Sequence, residues 1–411
     1  MSTNHFSETG DVTQPHAARD LVVVTIALTL AMLANTMLLL TVPLKALELQ
    51  ISPSLIGLVV SAPYILPLVL AIPIGGYVGR IGAKKIIIGG ALGMATGPVF
   101  SLLFPNLGGL LATQLIAGMS NMLLIIAAQA LISSLGSGKT LEKYFGWYTT
   151  GMSGGQLLGP LFAGYLIDHH SISHSFVAIA VFPLPSAFIA LLLSPLANQG
   201  TPSQKSASGY GAQWKLLRTN RELQLSMAMA SVSLFIMSVH SGFMPVYLEG
   251  LSISAAMVGV LLSLRALTSM LVRLVMSRMI EWLGGRTRTI QIGVICVTLS
   301  LMFTGLAGDQ VLFLAVLAIG IGLAGGISQP LSMVILSESV SKAQRAPSLA
   351  MRLMGNRLAQ TVAPLVVGFA AELWGFPIAF AASSAVLLLL FGLWAKQAGL
   401  GKELHAERMN N

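Results

Sequence analysis

Residues 146–168 read GWYTTGMSGGQLLGPLFAGYLID. Gly146, Gly151, Gly155, Gly159 and Gly164 recur at close to helical spacing, and Pro160 follows Gly159. In an apolar helix, glycines three or four apart share a face and let a neighbouring backbone approach closely. A proline there removes an N–H and bends the helix. A bilayer tolerates this only where neighbours re-satisfy the freed groups. The stretch therefore predicts a kinked, tightly packed transmembrane helix.

A second copy lies downstream. GPLFAGYLID aligns with APLVVGFAAEL, pairing Pro160 with Pro364, Gly164 with Gly368 and Asp168 with Glu372 at an offset of 204. SPSLIGLVVS aligns with SISAAMVGVLLS, pairing Gly57 with Gly259 and Ser61 with Ser263 at an offset of 202. GRIGAKK aligns with EWLGGRT, pairing Gly82 with Gly284 at the same 202. Three matches at nearly one offset imply an internal duplication. Both copies start on the same side of the membrane, so the repeat is parallel, about an axis along the membrane normal.

Composition sets the class. Of 411 residues, 55% are hydrophobic and 9% charged, with a mean hydropathy of +0.82. This fits a polytopic membrane protein and excludes a soluble globular one. Apolar runs long enough to span about 30 Å of hydrocarbon fall at 21–46, 54–79, 85–104, 107–135, 142–167, 174–194, 222–248, 253–281, 287–307, 311–338, 346–372 and 377–396. The expected fold is all-α, with twelve transmembrane helices in two six-helix bundles related by a parallel pseudo-two-fold repeat. The expected divisions are a tail over 1–20, a bundle over 21–194, a linker over 195–221, a second bundle over 222–396 and a tail over 397–411.

Lys and Arg concentrate in alternate loops: Arg80, Lys84 and Lys85; Lys139 and Lys143; Arg218 and Arg221; Arg286 and Arg288; Lys342 and Arg345. By the positive-inside rule both termini are expected in the cytoplasm of a multi-pass inner-membrane protein. The same rule accounts for the net charge of +9 without a nucleic-acid partner. The first 19 residues carry no apolar segment of the signal-peptide kind. The single Cys296 leaves no disulfide framework. No phosphate-cradling G-x-x-x-x-G-K-[ST] occurs, no metal or cofactor is expected, and the chain is expected to act as a monomer and not as an enzyme.

Embedded polar groups nominate a site. The 14 acidic residues fall in tails, loops or helix ends. Arg265 and Arg357 instead lie near the centres of the eighth and eleventh runs, with Arg273 and Arg352 deeper on the same runs. A charge at the bilayer centre is a functional-site hypothesis. Lacking a buried carboxylate, these guanidiniums should meet water, backbone carbonyls or an anion. Arg265 and Arg357 read as substrate contacts, and Arg273, eight residues before Glu281, as a structural cation. His240 is the one embedded group titrating near neutrality. It is either a proton-coupling residue or a hydrogen-bonded core histidine. Asn35, Gln114, Asn121, Gln329 and Gln360 are divided between cavity lining and inter-helix bonding.

With these residues in place, the chain resembles the major facilitator superfamily over almost its whole length. The family's loop motif G-x-x-x-D-R-x-G-R-R is matched by Gly75, Arg80, Gly82 and Lys84, with Gly79 where the acid belongs. The resemblance implies that this acid latches the halves, a role here expected of Glu281 in the second copy. The opening stretch is similar to the fifth-helix motif of drug:proton antiporters, G-x8-G-x3-G-P-x2-G-G, through Gly146, Gly155, Gly159, Pro160 and Gly164. The resemblance assigns it, with Pro364, to packing and gating between halves. Gln114 stands where that group has an Arg linked to proton coupling. The implied function is alternating-access export of a small amphipathic or anionic compound, coupled to protons. Uptake or exchange of an organic anion, or a sensor without transport, are the alternatives.

Overall fold

The computed structural model describes residues 16–136, 138–194 and 217–397. Residues 1–15 and 398–411 of the expected tails, residues 195–216 of the expected linker and the side chains of residues 71–79, including the surroundings of Gly75, lie outside that set.

The first half contains α1 (Ala17–Glu48), α2 (Pro53–Ile81), α3 (Ala83–Leu103), α4 (Leu107–Ser134), α5 (Gly138–His169), α6 (Ile172–Val181) and α7 (Pro183–Ala190). The second contains α8 (Arg221–Glu249), α9 (Ala255–Leu274), α10 (Met276–Trp282), α11 (Arg286–Thr304), α12 (Val311–Ser339) and α13 (Lys342–Gln397). Side-chain caps start several helices. Asn106 accepts from Gly109 N, Asn220 from Leu223 N, Ser171 from His174 N and Ser254 from Met257 N. Each satisfies a donor that the first helical turn leaves unpaired.

Ten helices among the described residues are long and apolar enough to cross a membrane. The span Met351–Trp394 counts once among them, yet Gly375, with φ of +79°, divides it into two helices. The 32-residue α5 is long enough but too polar for that set. Hydropathy and length alone thus do not fix the expected count of twelve. Two expected runs are also interrupted. The sixth breaks where Pro183 starts α7, and the eighth ends at Leu274, with Met276–Trp282 as a separate short helix carrying Glu281. At the other end of the chain α1 begins at Ala17, four residues inside the expected tail. Asp20 is buried there and accepts from Ser194 N at 3.1 Å and Ser194 Oγ at 2.5 Å, tying the start of the half to its end.

The halves repeat their packing. Helix α1 lies on α5, α3 on α4 and α2 on α4; correspondingly α8 lies on α13, α11 on α12 and α9 on α12. The loop glycines paired by sequence share a left-handed backbone, φ of +92° at Gly82 and +81° at Gly284, a conformation in which a Cβ is strained. The largest cluster of buried apolar residues joins both halves through Leu33, Val60, Phe243 and Phe380. Each half adds its own cluster, around Ile87 and Leu124 or around Val294 and Leu331.

The two most extensive crossings between the halves are α2 with α13 and α5 with α9. A Cβ added at Gly57 would collide with the carbonyl oxygen of Pro364, and one at Gly259 with that of Pro160. Gly368 and Gly164 complete the two contacts in the same way, against Pro53 and Ala255. Ser61 Oγ donates to Thr361 O at 2.8 Å and Ser263 Oγ to Leu157 O at 2.6 Å. Pro364 leaves the carbonyl of Gln360 without its helical donor, and Ser238 Oγ supplies one at 3.2 Å. At the end opposite the basic loops, Asp168 accepts from Ala255 N and Ala256 N at 2.9 Å each, and Glu372 accepts from Ser54 N at 3.0 Å. Each carboxylate thus sits at the positive end of a helix in the other half.

Candidate functional site

Between the halves lies a cavity of about 310 Å³ walled by α1, α2, α4 and α5 on one side and α8, α9 and α13 on the other. Its polar wall includes Asn35, Gln114, Asn121, Arg265, Arg357 and Gln360. No Asp or Glu occurs among its lining residues. Pro43, Pro63 and Pro160 also line it, so helix positions lacking a backbone N–H sit at cavity depth.

Arg265, 7% exposed, donates from Nη1 to Ser241 Oγ at 2.7 Å and to Met237 O at 3.3 Å. Its partners are neutral, so its charge is solvated by dipoles without being cancelled. Arg357 donates to Gln360 Oε1 at 3.1 Å and stands over the ring of Tyr64, 5.9 Å from its centroid. That cation–π contact crosses from one half to the other.

His240 is 1% exposed and lies behind the wall. Its Nδ1 is 3.4 Å from Arg265 Nη1, and its Nε2 has no partner. The guanidinium can only donate, so Nδ1 serves as the acceptor of a neutral ring. Gln329 is also off the wall. Its Oε1 and its backbone carbonyl accept from Arg352 Nη2 at 2.8 and 3.0 Å.

The residues named from loop and helix motifs separate into distinct environments. Gly155 and Gly159 pack on α1 of their own half, against Thr29, Leu33 and Thr36, and Thr36 Oγ1 donates to Gly155 O at 3.1 Å. Pro160 and Gly164 face α9 of the other half, while Gly146 has nothing near its missing Cβ. The glycine motif therefore serves two interfaces. Arg80, Arg273 and Glu281 are exposed. Lys84 donates to Leu191 O at 2.7 Å and Leu193 O at 2.8 Å, closing the end of α7. Among the described residues, Arg286 at the start of α11 pairs with Glu338 near the end of α12.

Sequence reading passed over Tyr64, Gln156, Ser238, Ser241 and Ser269 on the wall. Tyr64 carried a signal. It lies seven residues after Gly57, and so on the face of α2 that meets the other half.

The model of the Major Facilitator Superfamily matches the chain over residues 24–319 and again over 227–405. Multidrug resistance protein 1 of Bacillus subtilis (strain 168) is 27% identical over 145 residues, spanning 35% of this chain and 37% of that protein. Among solved structures, a bacterial homolog of the human lysosomal transporter Spinster superposes with a TM-score of 0.75 at 14% identity, covering 94% of this chain and 98% of that one. A POT family transporter in complex with a thioalcohol-conjugated peptide gives 0.76 at 14% identity, covering 93% and 97%. The nucleoside transporter NupG gives 0.72 at 16% identity, covering 91% and 99%. With the family model matching most of its length and the same fold in these transporters, the chain belongs to the Major Facilitator Superfamily, a multi-pass membrane transporter of a small molecule and not an enzyme.

Proposed function

We propose that this transporter exports a small amphipathic organic anion by alternating access, with its basic loops and termini in the cytoplasm of a bacterial inner membrane. The observation that carries the reading is a cavity wall holding Arg265 and Arg357 and no carboxylate. An anion there would meet two guanidiniums and the amides of Gln114 and Gln360, while the leucines and methionines of the wall suit an apolar body. Asn35 and Asn121 offer further donors. The outward direction rests on the antiporter-like motif from Gly146 to Gly164 and on the partial likeness to a multidrug resistance protein.

A proton is not needed to drive such export. An inside-negative potential of 100 mV releases about 2.3 kcal/mol per negative charge moved outward, a roughly fifty-fold gradient. Gating falls to the crossings at Gly57–Pro364 and Gly259–Pro160, which join the halves on one side of the cavity.

The contact between His240 and Arg265 favours a second reading, proton-coupled uptake. An anion bound at Arg265 would offset the guanidinium's charge and ease protonation of the ring beside it. Anion and proton would then bind cooperatively and travel together.

Proteoliposomes separate the two readings. Radiolabelled benzoate, as a simple amphipathic anion, would be followed under an imposed potential and, separately, under a pH gradient. Movement driven by the potential, and lost in Arg265→Ala and Arg357→Ala but not in Gly89→Ala, away from the cavity wall, is the expected result. Uptake driven by the pH gradient and abolished by His240→Gln supports the second reading. Transport of cationic dyes in preference to anions, undiminished in both Arg variants, overturns both.

A further inference from the structure

Outside the cavity, on the stretch of α13 that leads to the basic loops, Arg352 is buried at 3% exposure. Its Nε donates to Ser332 Oγ at 2.9 Å, and its Nη2 to Ser332 Oγ at 2.6 Å and to both oxygens of Gln329. Every acceptor is neutral. No ion pair involves Arg352 among the described residues. Its Nη1 makes no hydrogen bond to the described residues.

The surroundings deepen the donor excess. Gln329 Nε2 is fully buried without an acceptor, although its own Oε1 is bound to Arg352. Ser348 Oγ is buried and unbonded one helical turn before Arg352 on the same face of α13. A buried cation without a counter-charge is costly, as is each unsatisfied donor. One small acceptor with a negative charge would counter the guanidinium and offer a partner to Gln329 Nε2 and Ser348 Oγ.

We infer that Arg352, Gln329 and Ser348 form a second anion site, separate from the transport cavity and taking a small monovalent anion such as chloride or a slim carboxylate. The inference does not depend on what the cavity carries. The site bridges α12 and α13, so its occupant holds together two helices of the second half.

The test uses the full-length protein in detergent. Thermal unfolding is followed as chloride replaces gluconate, a bulkier anion, at constant ionic strength. Wild type should gain about 2–4 °C, saturably, and bind one equivalent of ³⁶Cl⁻. Arg265→Ala and Arg357→Ala should keep both properties, and Arg352→Gln should lose both. Should Arg352→Gln fail to fold, Gln329→Met should fold and bind ³⁶Cl⁻ at least several-fold more weakly. Formate displacing ³⁶Cl⁻ from wild type would show that a slim carboxylate shares the site. Benzoate displacing it from Arg265→Ala as well would show that the transported class reaches it. Wild type without halide stabilisation or ³⁶Cl⁻ binding overturns the inference, with water as the occupant. Binding that persists in Arg352→Gln, or is lost in Arg265→Ala, overturns it too.

Discussion

Gly259 packs against the carbonyl of Pro160 so closely that no Cβ fits between them. Gly57 meets Pro364 in the same way. Overpacking of this kind costs about 1–3 kcal/mol. Gly57→Ala and Gly259→Ala are expected to cut transport by about tenfold while leaving membrane insertion intact. Gly89→Ala, at a position with nothing within 4 Å, is the matched control. Equal activity of all three variants in proteoliposomes would show that the crossings do not need their glycines.

Asp168 holds the first turn of α9 by two backbone N–H groups. A charge at a helix N-terminus contributes about 0.3–1 kcal/mol. Asp168→Asn should therefore lower the joined population by about two- to fivefold. Glu372→Gln, at the mirror position, should act in the same direction. Spin labels at Ser171 and Ser252, in a Cys296→Ser background, would report the two populations. An unchanged distance distribution in the double variant counts against the carboxylates as latches.

Tyr64 and Arg357 meet across the halves through a ring face. Such contacts are worth about 0.5–2 kcal/mol. Tyr64→Leu should weaken anion affinity by about two- to thirtyfold, and Tyr64→Phe should leave it within about twofold. Competition binding with benzoate would measure both. Similar losses in the two variants would assign the effect to the hydroxyl instead.

Lys84 closes the end of α7 through two carbonyls. Lys84→Met should lower stability by about 1 kcal/mol without changing the anion's KM. Thermal unfolding and transport kinetics on the same preparation check the pair of outcomes. A changed KM with unchanged stability would give Lys84 a part in transport.

What the sequence revealed of the fold is what only a few residue types can do. Gly57, Pro160, Gly164 and their partners are constrained by backbone approach and bond loss, so their spacing survived as a detectable repeat. The breaks at Pro183 and after Leu274 were hidden inside continuous apolar runs, because hydropathy does not register a local change of direction. At the cavity, Arg265 and Arg357 stood out because charge is rare at that depth. Gln329 did not separate from the cavity amides, since nothing local shows that its partner is Arg352 on another helix. The serines near Arg265 were invisible for the same reason. A serine in an apolar helix most often bonds its own backbone, as Ser241 also does to Met237 O.

The crossings carry a consequence for ancestry. Each half contributes one glycine from its second helix and one proline–glycine pair from its fifth, so each half is complementary to a copy of itself. Such a surface is isologous in the sense used for two-fold dimers. A single six-helix gene product bearing both parts would close both crossings on pairing with its twin. Fusion of two such genes would then fix a partnership that already worked and free each crossing to diverge. The offset of 202 between Gly57 and Gly259 and of 204 between Pro160 and Pro364 places a two-residue difference in length between these points.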